Sequence, residues 1–250
     1  MNIYESDKLL AEYLLFHYGA PEEILPYDFG PQSALDFAVR CVSLGVDASR
    51  VPAQAAALDL GCAVGRSSFE LARFCQRVVG IDFSARFVAA ARHLGEHGAL
   101  GYSRLDEGAL STPLVAAVSA EIGRERVRFE TGDAMDLRGD LGAFDVVLLA
   151  NLIDRLTHPA HCLARLPALV KGGGQLVITS PYTWMEEFTP RENWLGTHSG
   201  IATGRTLEAL TKILEPHFER VATLDLPFLI REHARKFQWS VAQCTRWIRR

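Results

Sequence analysis

The chain has 250 residues, 48% of them hydrophobic and 22% charged, with 26 basic against 30 acidic side chains. That composition excludes wholesale disorder, and a net charge of −4 excludes a basic coat for gripping nucleic acid. No run of about 18 apolar residues occurs, so no membrane span is expected. The opening Met1-Asn2-Ile3-Tyr4-Glu5-Ser6-Asp7 lacks the basic and apolar regions of a secretory leader. Five cysteines (Cys41, Cys62, Cys75, Cys162, Cys244) are odd in number, scattered and without a C-x-x-C pair. They point to reduced thiols in a cytoplasmic compartment rather than to a disulfide or zinc framework.

In chain order, Leu9, Leu10, Tyr13, Leu14 and Tyr18 recur at helical spacing behind a capping Ser6, and a second helix is expected from Ser33 to about Leu44. Residues 1–50 therefore read as a helical cap. A strand-helix alternation follows. Strands are expected at Ala55 to Leu60, Arg77 to Asp82, Arg126 to Thr131, Phe144 to Ala150 and Gly174 to Ser180. Helices are expected at about Gly65 to Phe74, from Ser84 to about His97, at Pro159 to Val170, and at Thr206 to Leu214. Phe218 to Leu226 and Lys236 to Val241 complete a closing hairpin. Near-continuous apolar strands separated by helices indicate an α/β fold, a doubly wound, seven-stranded, mostly parallel sheet covered on both faces. The step of 51 residues from Asp82 to Asp133 exceeds one helix with its loops. Residues 98–123 thus read as an insertion, with a helix at Pro113 to Ile122. The whole of 1–250 reads as one domain whose cap and insertion cover an active site.

The strongest chemical signal is Leu58-Asp59-Leu60-Gly61-Cys62-Ala63-Val64-Gly65-Arg66-Ser67, a buried strand ending in a tight glycine turn that opens a helix. Such a turn lets backbone approach a ligand closely at the carboxyl end of a sheet. A dinucleotide fingerprint would need glycine where Ala63 and Arg66 stand, which argues against a nicotinamide-dependent dehydrogenase. Asp82, before Phe83 and a capping Ser84, can accept both ribose hydroxyls of a nucleoside, and Phe83 can lie on its base. Asp133-Ala134 ends the next strand, and Asn151-Leu152 the one after.

With these residues in place, the chain resembles the seven-stranded S-adenosylmethionine (SAM)-dependent methyltransferases over about residues 55 to 240. The resemblance implies SAM as cofactor. Asp59 matches the motif position ahead of the loop, Gly61, Cys62, Ala63 and Gly65 would lie along its methionine portion, Asp82 at the ribose, and Asp133 and Ala134 at the adenine. Ala63 stands where many members have glycine.

A narrower resemblance rests on Tyr13-Leu14-Leu15-Phe16-His17-Tyr18-Gly19, Asn151-Leu152-Ile153-Asp154-Arg155-Leu156, Ser180-Pro181-Tyr182-Thr183-Trp184-Met185-Glu186-Glu187, Asn193-Trp194-Leu195-Gly196 and Pro227-Phe228-Leu229-Ile230-Arg231-Glu232. Together these are similar to the ovothiol-forming 4-mercaptohistidine N1-methyltransferases, an activity found also in the C-terminal domain of 5-histidylcysteine sulfoxide synthases. This implies methylation of an imidazole nitrogen by a freestanding partner of such a synthase. A zwitterionic acceptor invites an Arg fork on its carboxylate. Asp154 would bond the acceptor's imidazole or amino group, and Arg155 or Arg231 its carboxylate. Tyr182, Trp184 and Glu186 would wall the pocket, and His17, Tyr18 and Tyr27 would close it. Other readings stay open: Asp154-Arg155 as a surface ion pair, Tyr182 and Trp184 as core aromatics, His17 as a helix-face residue. So do another small-molecule acceptor and a non-catalytic partner of a sulfoxide synthase. His93 with His97 and His158 with His161 have ligand spacing but no converging third ligand, so no metal is expected. Cys62 reads as a small filler, and Arg246, Trp247, Arg249 and Arg250 as a solvated tail.

Overall fold

The computed structural model describes residues 5–196 and 204–250; Met1 to Tyr4, which open the stretch read against a leader, lie outside them. Ser6 caps α1 (Asp7–Tyr18) with its hydroxyl on the Leu9 amide, as its position predicts. The next expected helix is shorter. After α2 (Pro21–Ile24) and a 3-10 turn at Gln32–Ala34, Asp36 takes a φ of 55°, and only Phe37–Ser43 forms α3.

The parallel core consists of β1 (Ala56–Leu60), β2 (Arg77–Asp82), β5 (Val127–Thr131), β6 (Phe144–Ala150) and β7 (Val170–Ser180). Its five β1 residues are all buried, as two-sided cover demands. Strands β8 (Phe218–His233) and β9 (Lys236–Arg249) close the edge antiparallel, giving the order β5-β2-β1-β6-β7-β9-β8. Helices α3, α4 (Arg66–Leu71) and α5 (Ala85–His97) cover one face. Helices α6 (Pro159–Leu169) and α7 (Thr206–Leu214) cover the other. The sheet is doubly wound, seven-stranded and mostly parallel, as the alternation predicts.

Three expectations fail. The insertion holds no helix at Pro113 to Ile122; it is an antiparallel hairpin of β3 (Ala99–Glu107) and β4 (Leu110–Ala117). The Arg246-to-Arg250 tail is not solvated: Trp247 is 1% exposed inside the second core cluster, and Arg249 lies over the Phe218 ring. The closing hairpin is also far longer than read. Strand β7 ends at Ser180, opposite Gln243, while β8 and β9 continue pairing from Leu226 and Ala242 to His233 and Lys236. Because β9 is antiparallel to β7, this arm projects past the carboxyl end of the sheet. There Phe228 meets Phe16 of α1 and Phe37 of α3 at ring distances of 6.1 and 4.9 Å. The Ala234 amide donates to Asp106 O, tying the arm to the insertion.

Candidate active site

The loop after β1 is fixed by its own backbone. Gly61 and Cys62 donate their amides to Ile81 O at 2.8 and 3.1 Å, pinning the turn to β2. Gly61 and Gly65 sit at φ 74° and 86°, where a side chain is strained. A Cβ on Gly65 would stand 2.6 Å from Phe129 Cζ, and one on Gly61 2.9 Å from Leu152 Cδ1. Ala63 adopts φ 47° and donates its amide to Asp82 Oδ2 at 2.9 Å. Cys62 is buried, and burial holds its thiol well above the ordinary range, so it fills space, as read.

Asp59 is wholly buried below this loop. Its Oδ2 accepts from the Ser67 and Ser68 hydroxyls at 2.8 and 2.6 Å, while Oδ1 has no donor. Burial pushes its carboxyl up to about 6. Asp82, half-buried, receives Ser84 N on Oδ1 as well as Ala63 N on Oδ2, and burial raises it too. Phe83 beside it is 67% exposed. Registers Leu60↔Ile81, Leu60↔Leu149 and Asp82↔Thr131 align the ends of β1, β2, β5 and β6 at one edge. Asp133 Oδ1 there accepts from Met135 N at 2.8 Å, and Ala134 is buried. Asn151, at φ 51°, is locked to Thr179 by its amide and by its Oδ1, which accepts the Thr179 hydroxyl at 3.0 Å.

The residues expected to hold an acceptor are arranged differently. Asp154 is 0% exposed, and its carboxylate is already engaged: Ser180 Oγ at 3.0 Å, Thr183 N at 3.0 Å and Arg155 Nη1 at 3.0 Å. It is neither a surface ion pair nor free for an imidazole; it fastens the loop after β7. Arg155 gives the same Nη1 to Asp154 O and Thr183 O and lies over Phe188, which fixes its guanidinium against the loop after β7. Arg231 is 4% exposed and bonds Glu23 O and His233 O. Tyr27 joins it on the far side of the arm, its hydroxyl on Ala234 O and its ring against Phe29 and Phe237. Glu186 is exposed and paired with Arg191. Trp184 packs against the second core cluster with its Nε1 on Thr206 Oγ1. Tyr182 has φ 55° and donates to Gln243 Oε1 at 3.0 Å.

Two cap residues do reach the cofactor loop. Tyr18 donates its hydroxyl to Val64 O at 2.8 Å, and Arg66, over the Tyr18 ring, reaches back to His17 O. His17 stacks on Tyr13 and meets Phe16 edge-on, and its Nδ1 is buried without a partner. Burial, then the Arg66 charge, drives it down to about 3, so the ring is neutral. Ser67, Ser68, Thr179 and Gln243 also shape the site; of these only the two serines, one turn beyond the glycine loop, had a local signal.

The methyltransferase domain family matches residues 58–178, which hold all four of these strand ends and begin at the glycine loop's strand. The matched segment, just under half of the chain, reads as a SAM-dependent methyltransferase domain. A ubiquinone biosynthesis O-methyltransferase of Bradyrhizobium sp. (strain ORS 278) is 28% identical over 123 residues, 49% of this chain and 38% of that relative's length. Among solved structures, the N-methyltransferase NodS of Bradyrhizobium japonicum WM9 with bound S-adenosylhomocysteine (SAH) superposes with a TM-score of 0.55 at 16% identity, covering 96% of this chain and 98% of NodS. The [4+2]-cyclase SpnF does so with a TM-score of 0.57 at 20% identity, covering 90% of this chain and 74% of SpnF. These two show the fold of the methyltransferase and no more.

The residues fit the cofactor. An orphaned buried acceptor at Asp59 Oδ1 suits a cationic donor, and Asp82 keeps lone pairs beyond the two it spends on amides. Close backbone packing at Gly61 and Gly65 shapes the cradle between them. Asp59, Asp82 and the 61–65 loop would hold SAM, which supplies an electrophilic methyl group.

Proposed function

We propose that this chain methylates a ring nitrogen of a small thiol-imidazole amino acid, 4-mercaptohistidine, to give ovothiol A. On this reading 1–250 acts as one domain in the cytoplasm, where its five buried free thiols stay reduced, and a separate sulfoxide synthase is its functional partner. Support comes from the way the stretches similar to the ovothiol enzymes are joined. Asp154 binds Ser180 and Thr183, uniting 151–156 with 180–187, and Phe16 meets Phe228, uniting 13–19 with 227–232.

The observation that carries the reading is the bare, buried Nδ1 of a neutral His17 beside the cofactor loop. Methylation at ring nitrogen releases one proton from the acceptor. Held neutral down to about pH 3, the imidazole is too weak a base to keep that proton; it would orient the acceptor's N–H by a hydrogen bond, and the proton would pass to solvent. Tyr18 and Arg66 fix the end of α1 over the loop, and α1 with the β8-β9 arm excludes water. Asp154 takes a positioning role in place of direct acceptor contact.

A hydroxyl acceptor is the second reading, favoured by the O-methyltransferase relative; His17 would orient that hydroxyl in the same way. Mass spectrometry with SAM and 4-mercaptohistidine, histidine or a catechol separates them. The proposal expects one methyl added to 4-mercaptohistidine. A methylated catechol with untouched thiol-imidazole would overturn it.

A further inference from the structure

A cavity of about 620 Å³ lies between α1, the β3-β4 insertion and the β8-β9 arm. Along α1 its lining runs from Asp7 to Leu15 and includes none of Tyr13, Phe16 and His17. None of Asp59, Asp82, Asp133 and Asn151 borders it. The insertion, read from sequence as an active-site cover, instead builds the outer wall of this second space.

The floor is apolar, from Leu10, Leu14, Leu15, Leu100 and Leu105. Two polar atoms in its wall are buried without a hydrogen-bond partner: Glu12 Oε1 and the Tyr102 hydroxyl. Other charges there are already matched. Arg104 binds Asp106 and Glu23 O, Arg231 binds Glu23 O and His233 O, and Glu232 binds Lys236 and Gln238. Asp7 pairs with Arg86. Lys8 Nζ, on an exposed side chain, forms a 3.7 Å ion pair with Glu12 Oε1, too long for a good hydrogen bond. A carboxylate oxygen without a close donor in apolar surroundings costs free energy that a nearer ammonium would recover. Burial accordingly raises the Glu12 carboxyl. The volume suits one small organic ligand.

We propose that this cavity is a second small-molecule site, separate from the methyl-transfer centre, that takes an amphipathic primary amine, its ammonium on Glu12 and its hydrocarbon body on the leucines. The inference does not depend on the identity of the methyl acceptor.

Calorimetry on the full chain with 2-phenylethylamine as probe, phenylacetate as its anionic counterpart and saturating SAH present tests it. The amine binds with or without SAH, and phenylacetate does not. Glu12→Gln weakens the amine at least tenfold, and Ala109→Trp, on the exposed hairpin turn lining the cavity, blocks it while leaving SAH binding intact. Absence of amine binding, equal binding of phenylacetate, competition with SAH, or affinity unchanged in both variants would overturn the proposal.

Discussion

The Ala63 amide donates to Asp82 Oδ2 at 2.9 Å, so the carboxylate that ends β2 also sets the shape of the loop after β1. Ala63 holds this bond from a left-handed backbone at φ 47°. Alanine carries a modest strain there, about 1–2 kcal/mol, while a β-branched residue carries more. Ala63→Gly relieves the strain but adds unfolded-chain entropy of about 0.4–1 kcal/mol, so the melting temperature moves by only about 3 °C. Ala63→Val lowers it further and weakens SAH binding. Thermal melts with and without SAH check both.

Asp59 gives the protein a pH signature. Its buried carboxyl holds a proton up to about pH 6, whereas in the unfolded chain the group ionises near 3.8. Between those values the folded form binds the proton more tightly, so this group adds stability as pH falls through 6 and withdraws it as pH rises. Asp59→Asn removes the gradient. In urea melts the variant gains on the wild type on the order of 1–3 kcal/mol at pH 8, and the difference shrinks toward pH 4. SAH binding weakens in the same variant if Oδ1 meets the cofactor's ammonium.

Asp154 carries three bonds to the loop after β7 from a fully buried position. Asp154→Ala strands the Arg155 guanidinium and the Thr183 amide, at a cost of about 3–5 kcal/mol. The melting temperature falls by about 6–15 °C. SAH affinity stays near wild type, because these bonds serve the acceptor side. Calorimetry beside thermal melts separates the two effects.

His17 acts in the opposite sense to Asp59. Its folded value of about 3 lies below the ordinary 6.5, so the unfolded chain takes up a proton that the folded chain refuses. Stability from His17 is present above pH 6.5 and is lost as pH falls toward 3. His17→Gln therefore softens acid unfolding by a few kcal/mol at most. It lowers kcat about 10-fold with little change in SAH affinity, the loss of one orienting hydrogen bond. Turnover at wild-type rate would assign His17 to the helix face alone.

The turn and strand ends proposed to hold the cofactor are legible in the sequence because each part is local. A glycine turn after a buried strand, an acid before a capping serine, and the run Phe144 to Ala150 need no distant partner to be read, and that strand and the helix Thr206–Leu214 have the expected ends. The insertion was misread because Pro113-Leu114-Val115-Ala116-Ala117 is short and apolar, with a proline suited to a helix start. Thr112, Leu114 and Ala116 in fact face inward at every second residue. The acceptor side was not legible for another reason. Whether Asp154 is free depends on Ser180 and Thr183, and whether Arg231 is free depends on Glu23, 208 residues earlier. Such engagements are tertiary facts, and they turned several expected ligands into scaffold.

Calorimetry of SAH against wild type and Asp82→Ala, with NAD as control, bears most directly on the cradle built by the ends of β1, β2 and β5. Wild type binds SAH and not NAD, and Asp82→Ala weakens SAH about 10- to 100-fold, the loss of charge-assisted bonds to a ribose. Tight NAD binding without SAH, or SAH affinity indifferent to Asp82, would contradict the account.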